Sequence, residues 1–473
     1  MNKSIWGNIN EKANQTTNNV ETDILIIGGG ITGITTLLYL KEKKQNTLLI
    51  EANTIGSGIT NKTTGKINIM QEYNYQKIEK MTNKHTSEKY LESQIYATNE
   101  LKKIIKKYNI KCELEENDSY LFTNDKENIK KIIKEKEILE KKIKCETIKE
   151  LPNKYPCLYG IKTKSYVFNP IKYINKIKKI CNKNILEKTR ALKITKKLNY
   201  YQIKTNKNKI KAKQIIICTH YPFINKILLP IKTTIEKEYI LSAIPDQTYK
   251  ANMISNDSEI TSIRYYDKYM IFANNNSQLC EKNNHKKNIT NTIKKFKNHF
   301  NYPIINTWYN YDIISNDYMP LIGKIKKENI LIATAFNKWG MTNGILSAKI
   351  MSDIITNEKN EYTKLLNIYR KTNIKKTLKC CKYTYNNIKA YIKAINQKNI
   401  KYTKENGIEY AIYIDEKNKE HKIINKCPHL KCKLIFNEFD KTWDCPCHGS
   451  RYTIDGKIIK GPSNYSIIPK KTH

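Results

Sequence analysis

Apolar residues fall in blocks along this chain, and the period within each block predicts its element. Residues 24–27 form a short unbroken apolar run closed by glycines, the pattern of a fully buried strand. After Gly33 the apolar positions spread over a helix-like run, and "NTLLIEA" then predicts a second strand ending in Glu51. Ile330–Thr334 is another continuous strand, followed by a turn from Lys338 to Gly344 and a helix through about Ile355. Further strands are predicted in "EKTRALKI" (187–194) and "IIICTHYP" (215–222), and in "SYLFTN", "YILSAI" and "YMIFAN". Residues 357–398 read as helix and linker, after which strands resume near Tyr402 in "IEYAIYIDEKNKEHKIINK". No internal repeat is present.

At 473 residues the chain is too long for one small core, which predicts two or three domains. No apolar run approaches the roughly 18–20 residues of a membrane-spanning helix. Residues 1–20 are polar and lack the apolar stretch of a signal peptide, so they predict a disordered tail and a cytoplasmic protein. The formal charge of +41 does not change this picture. It is almost all Lys, spread along the chain; Arg occurs only at Arg190, Arg264, Arg370 and Arg451. Lys, Asn, Ile and Tyr all have A/T-rich codons, so base composition accounts for the excess. Nucleic-acid binders cluster Arg on one face, and a nucleic-acid partner is not expected.

The turn Gly28-Gly29-Gly30-Ile31-Thr32-Gly33 sits between a strand and a helix, the context in which a G-x-G-x-x-G motif carries weight. Gly28 permits the tight turn, Gly30 lets backbone approach a pyrophosphate, and Gly33 allows close helix–strand packing. The helix N-terminus offers oriented N–H groups to phosphates. Glu51, at the end of the second strand, can accept from a ribose hydroxyl. "IGSGITNKTTGKINIM" follows, rich in small and hydroxyl side chains that suit a backbone lying against a flat ring. A second helix N-terminus near Gly340 could face the pyrimidine edge of a flavin.

These stretches together resemble the FAD-dependent oxidoreductases of the D-amino-acid oxidase and glycine oxidase superfamily, over about residues 23–355. The resemblance implies an α/β, Rossmann-like FAD-binding domain in three parts (about 21–75, 170–225 and 316–356). It also implies an inserted α+β substrate domain (about 76–169 and 226–315), the whole oxidoreductase region being 21–356. It places FAD against Gly28, Gly30, Gly33, Glu51, Thr63, Thr64, Ala191, Thr219, Gly323, Gly340, Met341 and Thr342. There are departures. Ala191 stands where relatives often carry Val, and Ala335 where they often carry Gly. "WYNYDIISNDYMPLIG" (308–323) has no Arg to hold a substrate carboxylate, which counts against amino-acid oxidation unless Arg264 or a Lys substitutes. His220, Tyr221, Lys66 and Lys338 are candidate active-site polar groups; no catalytic residue is identified.

Of the 12 cysteines, eight are scattered (Cys112, Cys145, Cys157, Cys181, Cys218, Cys280, Cys380, Cys381) and read as buried or free thiols. The other four lie in the tail, where Cys427-x-His429 precedes Cys445-x-x-His448 by 15 residues. Zinc fingers pair Cys with Cys and His with His. Here each loop supplies one Cys and one His, which suits two loops clamping a binuclear cluster.

This pattern, with Cys432 and Cys447 one in each loop, resembles Rieske [2Fe–2S] proteins and implies an all-β Rieske domain over 399–473. By that resemblance Cys427 and Cys445 bind one iron, and His429 and His448 the other. A Cys432–Cys447 disulfide ties the loops, and Leu430 shields the cluster. Ser450 and Tyr452 direct hydroxyls at sulfur, which raises the cluster potential. Pro428 replaces a common Thr, and Lys431 a common Gly. The expected cofactors are therefore FAD and a [2Fe–2S] cluster, a two-to-one electron relay. The expected function is an FAD-dependent oxidoreductase. It passes electrons between a small-molecule substrate, FAD and its own cluster to a soluble electron carrier or redox partner. The alternatives are an electron-transfer module acting on a partner protein without small-molecule turnover, and an amine oxidase using O₂.

Overall fold

Two sheets and a C-terminal β domain position the site. The structure is a computed structural model and describes residues 4–7, 14–224, 227, 229–278, 285–371, 397 and 399–469. In the first sheet Val20–Ile27 is central. It pairs in parallel with Lys209–Ile217 on one side and Thr47–Ile50 on the other. Ile330–Thr334 adds in parallel outside Lys209–Ile217, and Leu321–Lys324 closes that edge antiparallel. Leu25, Ile26, Ile215, Ile216 and Ile217 are all fully buried. That explains the unbroken apolar runs: strands of a parallel sheet are covered on both faces. Helices Ile31–Glu42 and Gly340–Ile355 pack on one of these faces and against each other. A Cβ at Gly344 would lie 2.9 Å from Ile31 Cγ2, so the crossing is as close as glycine allows.

The second sheet has nine strands. Its order begins Ile304–Ser315, Thr233–Ala243, Tyr269–Gln278, Ser262–Tyr266, Ala251–Ser255, Glu115–Thr123, Tyr159–Val167. One face carries Phe122, Met253, Ile263 and Phe272, which form an apolar cluster with Phe296 of the helix His285–Lys297. Alternation then turns Ser119, Asn252, Ser262 and Arg264 to the other face, where they are buried as well. A buried polar face on one side of a sheet is costly unless it is hydrogen-bonded or meets a polar ligand. Most of these strands were not legible as an ordered set, because "ANMIS" and "SIRYY" are too short and mixed to show a period.

The C-terminal domain is all β. Ile400–Glu405, Ile408–Ile414 and Glu420–Ile424 form a three-stranded antiparallel sheet. Ile435–Asn437, Thr442–Asp444, Arg451–Thr453 and Ile458–Lys460 form a four-stranded one. Trp443 and Tyr452 are fully buried between them with Phe436 and Ile423.

The first 20 residues are not a free tail where described. Trp6 is buried, and its indole N–H donates to Thr63 O at 2.7 Å. The polar sequence around it hides this anchor, since one aromatic residue has no period. Most of the linker expected over 357–398 lies outside the described residues, as do Cys280, Cys380 and Cys381; the short helix Tyr362–Leu365 falls in its described part. Cys112, Cys145 and Cys181 are buried free thiols. Among the described residues no helix is long and apolar enough to cross a membrane.

Candidate functional site

The strand–turn–helix at residues 27–33 opens one end of a long cleft of about 300 Å³. Gly28 has φ +112°, and a Cβ there would sit 2.6 Å from Cys218 O. A Cβ at Gly33 would sit 1.9 Å from Gly28 O, so strand and helix approach as closely as backbone permits. Gly30 caps the helix Ile31–Glu42 and has no side chain to bond its first turn, where Thr60 Oγ1 takes the Ile31 N–H and the following N–H groups are left for an anion. Glu51 Oε2 accepts from Gly29 N at 2.7 Å, and Oε1 accepts from Asn53 N at 2.8 Å. Burial pushes its carboxyl above the ordinary range, opposed by these two N–H groups.

Gly28, Gly30, Glu51, Ala191, Thr219, Gly340 and Met341 all line this cleft. Five sequence-predicted contacts do not. Gly33 packs beneath the turn. Thr63 Oγ1 accepts from Gly65 N at 3.1 Å, and Thr64 O is taken by Arg264. Gly323 lies on an edge strand beside Asn367. Thr342 is buried one position beyond the cleft wall. The hydroxyl that does serve the turn is Thr60, whose Oγ1 accepts from Ile31 N at 3.1 Å. Thr60 and Thr63 look alike in sequence; only the short helix Ile59–Lys62 decides which one faces the cleft.

Arg264 is not available to a substrate carboxylate. Its guanidinium donates to Thr64 O and to Phe168 O (3.3 Å) and lies over the rings of Trp6 and Tyr266. Lys338 pairs with Glu236 at 3.1 Å, and Lys66 bonds Ser262 Oγ. Burial brings Lys66 down to about 7 and Asp312, which lines the cleft, up to about 7.

The far wall of the cleft comes from the C-terminal domain: Arg451, Ile459, Lys460, Gly461, Pro462 and Asn464. Nothing in the sequence signals this, since it depends on how two domains meet. The seam is polar and buried. Tyr309 donates to Asp440, Asn437 Nδ2 donates to Tyr309 Oη at 3.3 Å, and Asn464 donates to Leu192 O at 3.3 Å. Arg451 lies over the Tyr309 ring at 5.3 Å, and Lys460 over Tyr311 at 4.2 Å. Burial drives Lys460 well below the ordinary lysine range, and Lys62 across the cleft adds to the effect.

Next to this wall the two Cys/His loops meet. The Cys432–Cys447 disulfide joins them. The sulfurs of Cys432, Cys445 and Cys447 lie within 4.8 Å of one another, but two belong to the disulfide and are not thiolate donors. Cys427 and Cys445 share a hydrogen bond, which is the main cause holding the Cys427 thiol down at about 6. Tyr452 Oη lies 3.4 Å from Cys427 Sγ. Ser450 Oγ accepts from Ser463 N at 2.9 Å, so one of its lone pairs is engaged by backbone. The His429 and His448 rings are 5.0 Å apart, and His448 Nδ1 is buried without a hydrogen bond. Two sulfurs and two imidazoles on two tied loops, with a ring nitrogen left without a partner, fit a two-iron cluster. Lys431 has φ +63°, so the position occupied by Gly in relatives does need the left-handed region. Its N–H still closes the loop onto Cys427 O at 2.9 Å. The histidine edge points inward: the Tyr221 ring lies 5.0 Å from His448 and 6.2 Å from His429.

The family model described as "FAD dependent oxidoreductase" matches residues 23–354, and that of the Rieske [2Fe-2S] domain matches 388–469. A Bacillus subtilis protein described as a Rieske 2Fe-2S iron-sulfur protein, YhfW, is 29% identical over 470 residues, covering 94% of this chain and 92% of its own. The cytochrome b6-f complex iron-sulfur subunit 2 of Trichormus variabilis is 48% identical over 42 residues, 9% of this chain and 24% of that protein. Among solved structures, glycine oxidase from Geobacillus kaustophilus superposes with a TM-score of 0.61 at 10% identity, covering 75% of this chain and all of its own. L-amino acid deaminase from Proteus vulgaris gives 0.62 at 15% identity, covering 77% of this chain and 100% of its own. The chain belongs to the FAD-dependent oxidoreductase family and carries a Rieske [2Fe–2S] domain at its C-terminal end.

Proposed function

We propose that this oxidoreductase passes electrons between a small polar substrate, FAD and its own Rieske cluster, and from there to an external one-electron carrier. The carrying observation is that the Rieske domain forms one wall of the FAD cleft and turns its histidine edge toward it. When bound, FAD supplies two-electron chemistry and the cluster one-electron chemistry. Cys427 and Cys445 would hold one iron, and His429 and His448 the other. The turn at residues 28–33 would carry the pyrophosphate, and Glu51 the ribose. The buried polar face of the second sheet supports a substrate with its own hydrogen-bonding groups. Asp312 is the member of that wall that reaches the cleft. With Arg264 committed elsewhere, a carboxylate would be met by lysine.

The test is anaerobic mixing with a panel of amines and 2-amino acids, followed optically for FAD and by electron paramagnetic resonance for the cluster. FAD bleaching and then cluster reduction by a panel member is the expected result. Bleaching with hydrogen peroxide formation in air and an unreduced cluster would point to an oxidase. No bleaching by any small molecule would leave a protein partner as the electron source.

Glu51→Ala should weaken FAD binding. It removes a charged acceptor from the ribose and strands the Gly29 and Asn53 N–H groups. A hydrogen bond to a charged group contributes about 1.5–3 kcal/mol, so the dissociation constant should rise about ten- to hundredfold. Titration of apoprotein with FAD measures it directly. An unchanged constant would remove Glu51 from the ribose.

A further inference from the structure

We propose that Tyr221 is the side chain that couples the flavin cleft to the cluster, its ring providing the packed route for electrons between them. This rests on the relay proposed above. Tyr221 lines the cleft, is 6% exposed, and its ring centre lies 5.0 Å from that of His448 and 6.2 Å from that of His429. The backbone is built to aim it. Lys209–Ile217 ends just before it, and His220 turns the chain at φ +65°. A non-glycine residue in that region is strained and persists only where its surroundings hold it. Thr334 Oγ1 fixes the turn by donating to His220 O at 2.5 Å, and Thr219 Oγ1 donates to Tyr221 O at 3.2 Å.

Beside the ring lies a cavity of about 40 Å³, bordered by Thr219, His220, Tyr311, His448 and Lys460. Electronic coupling decays more steeply across a gap than through packed atoms. The Tyr221 ring is therefore the favoured crossing and the cavity the poorer one. Each crossing moves one electron: the flavin loses one, and one ferric iron becomes ferrous. A one-electron acceptor outside the chain clears the cluster before the second electron follows. The proton held by the reduced flavin leaves to solvent once both have gone.

The experiment uses the full chain loaded with FAD and cluster, comparing Tyr221→Phe, Tyr221→Leu and Tyr221→Ala. The bound flavin is itself excited by a light flash with EDTA as the sacrificial electron donor, so that electrons enter at the flavin, and cluster reduction is timed. The cluster's paramagnetic resonance spectrum, both midpoint potentials and direct cluster reduction by dithionite are recorded alongside. Tyr221→Phe should keep the wild-type rate within about twofold, because the ring's packing is retained. Tyr221→Ala should slow flavin-to-cluster transfer at least about tenfold, since a ring-sized void replaces close-packed atoms. Spectrum, potentials and the dithionite reaction should not move. A wild-type transfer rate in Tyr221→Ala with a native spectrum overturns the proposal. If Tyr221→Ala disturbs the spectrum, Tyr221→Leu decides: a native spectrum with slow transfer supports the coupling role, and a native spectrum with wild-type transfer overturns it. If Tyr221→Leu disturbs the spectrum too, the ring is structural support for the loops and the proposal falls. Failure of every small molecule to reduce the flavin would bear on the substrate reading alone, because photoreduction of the flavin bypasses the substrate.

Discussion

Replacing His448 with Ala should abolish the Rieske paramagnetic resonance signal, and His429→Ala should do the same. Each imidazole is proposed to be half of the nitrogen donor set, and Ala offers the iron nothing in return. The rest of the clamp should survive. The Cys432–Cys447 disulfide still joins the loops, and Cys445 N still bonds Ser450 O at 2.7 Å. The variant should therefore fold and bind FAD while losing iron and acid-labile sulfide together. Metal and sulfide analysis on protein purified without oxygen checks this, with wild type expected to hold iron and sulfide in equal amounts. Stoichiometric zinc in the wild type would reject the cluster assignment. A surviving Rieske spectrum in His448→Ala would remove that residue from the ligand set.

What the sequence displayed, and what it hid, divides along a physical line. The Cys/His loops were legible because ligand chemistry is local: two donors spaced within one tight loop must face the same way. The glycine turn was legible for the same reason, since Gly28 and Gly33 answer steric demands set by neighbouring backbone. Thr63 and Thr64 lie outside the cleft lining, and a hydroxyl-rich stretch does not say which hydroxyl turns inward. Thr60 does, and Thr63 closes its own turn onto Gly65. Arg264 looked free because a lone arginine carries no sign of its partners. In the fold it lies against two neighbouring aromatic rings and donates to two carbonyl oxygens. The least legible feature is the seam. Tyr221 is far in sequence from Arg451 and Lys460, which are paired on adjacent strands of the C-terminal domain, and no period or motif links it to them. Their meeting is a product of domain docking, which has no one-dimensional signature.

Arg451→Ala should be the most damaging substitution at that seam. Arg451 is buried, donates from Nε to Asp444 Oδ1 at 3.0 Å and from one terminal nitrogen to Asp440 Oδ2 at 2.6 Å, and also bonds Thr442 Oγ1. Its two carboxylate partners hold other groups in turn: Asp440 accepts from Tyr309, and Asp444 from Asn437. Removing the cation takes the guanidinium from the buried Asp444 carboxylate and from the half-buried Asp440, and breaking a buried pair from one side typically costs about 3–5 kcal/mol. Replacing a buried pair by apolar groups can be neutral, but this substitution removes only one side of it. The loss should depend on pH. In the wild type, burial raises the Asp444 carboxyl, but Arg451 and its other partners outweigh this and hold it below the ordinary range. The pair therefore stabilises the fold above the unfolded-state value of about 3.9 and is lost as pH falls through the lower folded value. Without Arg451 the burial effect dominates and the carboxyl rises above 3.9, so the variant's penalty grows as pH rises through that window. The gap between wild type and Arg451→Ala should be widest near neutral pH and narrow on acidification toward pH 4. Chemical denaturation of the two proteins across that range, with the Rieske spectrum as a second probe, measures it. A gap that is small and flat with pH would show that the seam does not depend on this charge network.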